Sequence, residues 1–271
     1  MPGFFDCLGD RIDEVDSLVS VGLDPDPDRL PAFVRDADRP RLAFNRRVVD
    51  ATHEYAACYK PNAAFYEDPD GWRALSATVD YAHERGVPVL LDAKRGDIGN
   101  TARRYARALD EADAVTVNPY MGEDSLRPFL DREGAGVFVL CRTSNPGGAD
   151  LQNLELADFG HRLYEHVARL AARWHEEATA DVGLVVGATA PAELERLRER
   201  VPALPFLVPG VGAQGGDVAA AARHGPADGV GLVNSSRGIL FAGEGADDAE
   251  DYFAAAGEAA RRLRDDLNAH R

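Results

Sequence analysis

Apolar residues along this chain gather in short unbroken runs instead of alternating with polar ones. Eight such runs lie at Leu18–Leu23, Ala56–Lys60, Val87–Asp92, Ala114–Asn118, Gly136–Cys141, Asp181–Val186, Pro205–Val208 and Gly229–Val233. Strands covered on both faces read this way, as in a parallel sheet. Between the runs the period becomes helical. Ala102, Tyr105, Ala106 and Leu109 share one helical face, and so do Leu156, Phe159, Leu163, Val167, Leu170 and Trp174. Pro191 suits the first turn of a helix over Ala192–Arg200. Strands alternating with helices imply βαβ units. Eight units predict an α/β fold, a single (β/α)8 TIM barrel over residues 1–271, for which about 250 residues is the usual length. The Thr143–Asp150 stretch reads as a long loop after the fifth strand, too short for a domain boundary.

A barrel of this kind carries its chemistry at the C-terminal ends of its strands. Asp24 follows the first predicted strand, Lys60 ends the second, Asp92 ends the third, and Lys94 lies just beyond it. Composition sharpens the point. Of 30 basic residues 28 are Arg, and Lys60 and Lys94 are the only lysines. Arg does not readily release a proton, whereas Lys does, and its compact ammonium fits where a guanidinium cannot. Both lysines therefore fall at the face where catalysis is expected.

The net charge of −16 predicts a surface that repels nucleic acid and anionic membranes. It also suggests adaptation to high salt, and the acidic run Gly245–Asp251 reads as a solvated face. No run approaches the roughly 18 to 20 apolar residues of a membrane span, and the N-terminus has no signal-peptide pattern, so a cytoplasmic location is expected. Cys7, Cys58 and Cys141 lack CxxC spacing, which predicts reduced packing cysteines and neither disulfides nor a zinc site. His161, His166 and His175 fall on a predicted long helix and read as surface residues. Trp72 and Trp174 read as packing residues.

The densest chemistry lies in Leu91-Asp-Ala-Lys-Arg-Gly-Asp-Ile-Gly-Asn-Thr101. Residues two apart on an extended strand point to one side, so Asp92 and Lys94 are expected in one cavity. Asp97 and Thr101 follow in the turn towards the next helix. The plainer alternative is an ion pair closing the barrel mouth, with Thr101 capping a helix. A second motif, Gly210-Val-Gly-Ala-Gln-Gly215, follows the seventh predicted strand, and Arg237 follows the eighth. Barrels commonly bind phosphate there. Glycines admit backbone N–H groups to an anion, and an arginine grips its oxygens bidentately. A glycine-rich turn beside a surface arginine is the competing reading. The polar loop Thr143-Ser-Asn-Pro-Gly-Gly148 can close over the mouth as a lid. Asn62 and Asn118, also at strand ends, either line the pocket or satisfy backbone groups.

Asp92-x-Lys94-x-x-Asp97-Ile-x-x-Thr101 resembles the signature of the orotidine 5′-phosphate decarboxylase family. The full wording resembles the branch (type 2) found in mycobacteria and many other prokaryotes. Val21–Pro25, Tyr59–Asn62, Val117–Tyr120, Cys141–Pro146, Pro209–Gly215 and Asn234–Arg237 resemble family segments in the same order, so the likeness spans nearly the whole chain. It implies decarboxylation of orotidine 5′-monophosphate to uridine 5′-monophosphate, in pyrimidine biosynthesis, without metal or organic cofactor. By that resemblance Lys94 is the proton donor to pyrimidine C6 and Asp92 sits against the substrate carboxylate. Lys60 bridges Asp92 and the ribose, which Asp24 also meets. Ser144 recognises the base, and Gln214 and Arg237 hold the 5′-phosphate. Asp97 and Thr101 enter the active site of a second subunit, giving a homodimer with shared sites.

Elementary electrostatics fits such a cluster. Loss of CO₂ from C6 leaves an in-plane carbanion with little delocalisation, so the protein must stabilise it by charge. Two unit charges about 4 Å apart at an effective dielectric of about 20 interact by about 4 kcal/mol. That helps without supplying the whole barrier, so differential stabilisation of the carbanion matters more than repulsion of the substrate. Three alternatives have distinct signatures. A magnesium-dependent sugar-phosphate decarboxylase or synthase of the same superfamily would respond to chelators. A Schiff-base aldolase would be trapped by borohydride. A non-catalytic nucleotide-binding barrel would bind uridine 5′-monophosphate without turnover.

Overall fold

A computed structural model describes residues 2–212 and 215–271. Ten strands are present among them: β1 Val19–Leu23, β2 Cys58–Pro61, β3 Leu90–Arg95, β4 Ala114–Val117, β5 Gly136–Arg142, β6 Glu155–Leu156, β7 His161–Arg162, β8 Asp181–Val186, β9 Phe206–Pro209 and β10 Leu232–Ser235. Eight of them form one parallel sheet in the order β2-β1-β10-β9-β8-β5-β4-β3. Parallel bridges Tyr59↔Val89 and Asn62↔Asp92 join its two edges and close the barrel. All eight expected strands are found.

The strands are buried almost throughout because helices cover their outer faces. The helix Phe4–Val15 packs at the N-terminal end, where Phe4 meets Phe138 edge-on and Phe5 N–H donates to Asp181 Oδ2 at 2.8 Å. Helices Pro40–Thr52 and Ala249–Asn268 pack together through Phe44, Tyr252 and Phe253. Asp248, within the acidic run, caps the latter helix by accepting from Asp251 N–H. No helix among the described residues is long and apolar enough to cross a membrane.

Several local expectations change. Leu156 and Phe159 are not helical: β6 and β7 form an antiparallel hairpin, and the helix begins at Leu163. His161 is accordingly a buried strand residue, with its Nε2 3.3 Å from His166 Nδ1, rather than a helix surface residue. Trp174 is buried as expected, but Trp72 is 43% exposed. The helix over Ala102 stops at Tyr105, which is partly exposed, and continues as a 3₁₀ turn to Asp110. The eighth barrel strand starts at Leu232 rather than Gly229, because Ala227 and Val230 pair across a turn in which Gly229 takes a φ of 84°.

Candidate active site

The cluster begins with the end of β3. The strand runs through Lys94 to Arg95, so Lys94 lies within it, not beyond it. Nor is it regular: its register against β4 shifts between Leu91 and Arg95, and Lys94 has a φ of 48°. Such a backbone costs a residue with a Cβ about 1–3 kcal/mol. The simple two-residue alternation therefore does not place Lys94; a bulge does. Thr116 on β4 holds that bulge. Its hydroxyl accepts from Lys94 N–H at 2.9 Å and donates to Asp92 Oδ1 at 2.8 Å.

Asp92 is the hub. Lys94 Nζ meets Asp92 Oδ1 at 2.6 Å, and Lys60 Nζ meets Oδ2 at 3.1 Å. The parallel pairing of β1 with β2 and the Asn62↔Asp92 bridge bring Lys60 alongside. Lys60 is buried, whereas the Lys94 side chain is about half exposed to the cavity mouth. Burial favours a neutral Lys60, but Asp92 and Asp24 outweigh it and hold its pKa above the ordinary lysine value. Burial likewise favours a protonated Asp92. Lys60, Lys94 and the hydrogen bonds from Lys94 and Thr116 overcome it and hold the carboxyl well below the usual carboxylate range. Lys60 and Asp92 are thus both charged at neutral pH.

These groups line a cavity of about 420 Å³ at the C-terminal ends of the strands. Asp24, Lys60, Asp92, Lys94, Ser144 and Arg237 all border it. Asp24 Oδ1 is buried with no hydrogen-bond partner among the described residues. Arg237 is exposed at the start of the short helix Arg237–Leu240, across from the glycine loop after β9. Gly210 and Gly212 there have φ values of 99° and 83°, which only glycine adopts freely. Gln214 lies outside the described residues. Asn62 does both things considered for it: it lines the cavity and accepts from Ala64 N–H at 3.2 Å. Asn118 caps the turn at Tyr120 N–H and is not among the lining residues.

Asp97 and Thr101 do not border their own cavity. Asp97 Oδ1 accepts from Ile98 N–H at 2.8 Å, and Thr101 is exposed within the helix Gly99–Tyr105, not at its N-cap, which is Ile98. Asn145, Asn234 and Ser236 border the cavity and lie in the family-like segments without roles of their own, whereas Thr116, which supports the site, lies in none of those segments. Thr116 is the only polar residue of β4, a signal that could have marked it. Among the described residues no group of three or more His, Cys, Asp or Glu is placed to hold a metal ion.

Residues 17–252 match the family described as orotidine 5′-phosphate decarboxylase / HUMPS. The chain belongs to that family. It is similar over 99% of both chains to the orotidine 5′-phosphate decarboxylase of Natronomonas pharaonis, at 69% identity. It is 51% identical to that of Azoarcus sp., over 94% of this chain and 95% of the relative. Among solved structures, Leishmania donovani OMP decarboxylase superposes with a TM-score of 0.83 at 43% identity, covering 99% of this chain and 98% of the other. Leishmania donovani UMP synthase does so with a TM-score of 0.85 at 44% identity. All of this chain is covered in that match, and it spans 57% of the synthase.

Proposed function

We propose that this family member converts orotidine 5′-monophosphate to uridine 5′-monophosphate and CO₂, with Lys94 as the proton donor. The observation that carries the reading is the array in which Lys60 and Lys94 bind opposite oxygens of the Asp92 carboxylate at the cavity wall. Asp92 faces the departing carboxylate. As the C6–CO₂ bond breaks, its electron pair stays on C6, and the Lys94 ammonium, already oriented, stabilises that charge and transfers a proton to it. Lys60 remains protonated, orienting Asp92 and, with Asp24, meeting the ribose hydroxyls. Arg237 grips the 5′-phosphate, with Gln214 as its companion, and Ser144 reads the pyrimidine edge. In this reading residues 1–271 act as one catalytic domain, and the wording of Asp92–Thr101 supports membership of the type 2 branch.

The reading includes a second copy of the chain. Asp97 and Thr101 flank Ile98, which is 57% exposed. Gly96 packs against Asn118, and this brings the same turn next to Tyr120 and Met121, 83% and 45% exposed. An apolar surface beside two polar residues that miss their own cavity suits a two-fold contact delivering both into a neighbour's site. Mixing inactive Lys94→Ala and Asp97→Ala chains under exchange conditions then restores about a quarter of all sites. If Asp97 serves its own barrel, nothing returns.

The reaction itself is tested by following the absorbance of orotidine 5′-monophosphate with purified protein, with and without a strong chelator. Turnover that the chelator leaves unchanged is the expected result. Chelator-sensitive turnover contradicts the metal-free reading. Tight binding of uridine 5′-monophosphate with no turnover of substrate favours a binding protein.

A further inference from the structure

Gln152 lies outside the catalytic cavity at the end of the short helix Ala149–Gln152, yet its amide is bonded almost entirely to the start of the loop that borders the cavity. Its Oε1 accepts from Thr143 N–H at 3.0 Å and from Arg142 Nη1 at 3.1 Å. Its Nε2 donates to Thr143 Oγ1 at 2.8 Å, and that hydroxyl donates in turn to Asn145 Oδ1 at 2.7 Å. A backbone N–H on one side fixes which end of the amide is oxygen, so the orientation is not arbitrary. Both acceptor sites and one donor are used on partners next to Ser144.

The surroundings make this arrangement rigid. Arg142 is anchored to the barrel by its ion pair with Glu193 and donates to Thr143 O at 2.6 Å. Gly148 is buried against the same atoms. A Cβ there would stand 2.8 Å from Thr143 Oγ1, 2.9 Å from Gln152 Oε1 and 3.0 Å from Arg142 Nη1. On the other side, a Cβ at Gly187 would fall 2.8 Å from the Ser144 backbone, and Ser144 O accepts from Thr189 Oγ1 at 3.1 Å. The main chain of Ser144 is thus clamped between the β8 end and the Thr143 turn, and Gln152 fixes that turn.

We propose that Gln152 is a positioning residue for base recognition, its amide setting the turn that presents Thr143, Ser144 and Asn145 to the pyrimidine. This rests on the reading of the loop after β5 as the base-recognition loop. The ribose and phosphate are held by other elements, through Asp24, Lys60 and Arg237. A defect at Gln152 is therefore felt by the base alone, which a general loss of structure would not produce.

The test measures, by calorimetry, the affinity for uridine 5′-monophosphate and for ribose 5-phosphate, which lacks the base. Gln152→Ala should weaken the nucleotide about tenfold, the size of one or two lost hydrogen bonds, and leave ribose 5-phosphate unchanged. Gln152→Asn, whose shorter amide cannot span both partners, should show the same selectivity and serves if the alanine variant does not fold. Gln152→Glu should restore the nucleotide only in part, since one carboxylate oxygen still accepts from Thr143 N–H and Arg142, but the donor to Thr143 Oγ1 is lost and that hydroxyl's single proton is already given to Asn145. Ser144→Ala reports on the loop itself. If Ser144→Ala is selective and the Gln152 variants keep the wild-type ratio, or lose both ligands equally, the positioning role is overturned while the loop reading stands. If Ser144→Ala is itself unselective, the loop reading fails and the role of Gln152 falls with it.

Discussion

Lys94 stands in a backbone conformation that residues with a side chain avoid, and the Thr116 hydroxyl is the group that ties its N–H to Asp92. Thr116→Val keeps the shape and removes only that hydroxyl. A hydrogen bond to a charged group is worth about 1.5–3 kcal/mol, so kcat should fall roughly ten- to a hundredfold while uridine 5′-monophosphate still binds. Steady-state kinetics beside calorimetry check this, and an unchanged kcat removes Thr116 from the site. Asp92 makes a pH prediction with a definite sign. Its folded pKa lies below the ordinary 3.8, so it stabilises the fold at pH values above the unfolded pKa, and this is lost as pH falls through the folded one. The opposite case is Lys60, raised above 10.5, whose contribution is present below that value and is lost as pH rises through its folded pKa. The stability difference between wild type and Asp92→Asn should therefore be constant from about pH 5 to 7, shrink below about pH 4 as Asp92 is protonated, and shrink again at alkaline pH as Lys60 loses its proton. Denaturant unfolding at several pH values measures it, and a difference that varies between pH 5 and 7 contradicts the charged array.

Between elements, Gly22 on β1 shows how closely strands approach at the catalytic face. An added Cβ would lie 1.8 Å from Ser236 Oγ and 2.7 Å from Ser236 Cβ, in the turn that leads β10 into Arg237. Gly22→Ala must push that turn aside. It should weaken uridine 5′-monophosphate far more than uridine, with Arg237→Ala showing the same selectivity through loss of charge-assisted bonds. Equal losses for nucleoside and nucleotide, measured by calorimetry, would take this turn out of phosphate binding. At this scale most of the fold was legible in the sequence. Apolar runs, most of them continuous, marked all eight barrel strands, because two-sided burial leaves that trace. The bulge at Lys94 was not legible, since it depends on a hydroxyl from the neighbouring strand. The β6–β7 hairpin was hidden because Leu156 and Phe159 happen to fall in phase with the helix that begins at Leu163. The lysines and aspartates of the cavity were legible as charges at strand ends. Gln152 was not, because its importance comes from a turn that closes back on Thr143.

For the whole molecule, a net charge of −16 sets two effects of salt against each other. Added salt weakens ion pairs such as Arg127–Glu177 and Arg261–Asp265, at 2.7 Å each on the surface. Exposed pairs of this kind contribute about 0–1 kcal/mol apiece. Salt also screens the mutual repulsion of the excess carboxylates, as the screening length falls to about 3 Å at 1 M. With 46 acidic residues against 30 basic ones, relief of repulsion outweighs the weakened ion pairs, so the melting temperature should rise from low to molar salt. A calorimetric scan at both salt concentrations checks this, and an unchanged or lower melting temperature contradicts the balance. On the same scale, the barrel brings Lys60 from β2, Asp92 and Lys94 from β3 and Arg237 after β10 to one cavity. The chemistry assigned to that cavity is tested most directly by measuring turnover of orotidine 5′-monophosphate by Lys94→Ala and Lys94→Arg, with calorimetry confirming that each still binds uridine 5′-monophosphate. Both variants should bind the product and show no measurable decarboxylation, because alanine has no proton to give and a guanidinium neither fits nor readily gives one. Substantial turnover by either would contradict Lys94 as the proton donor.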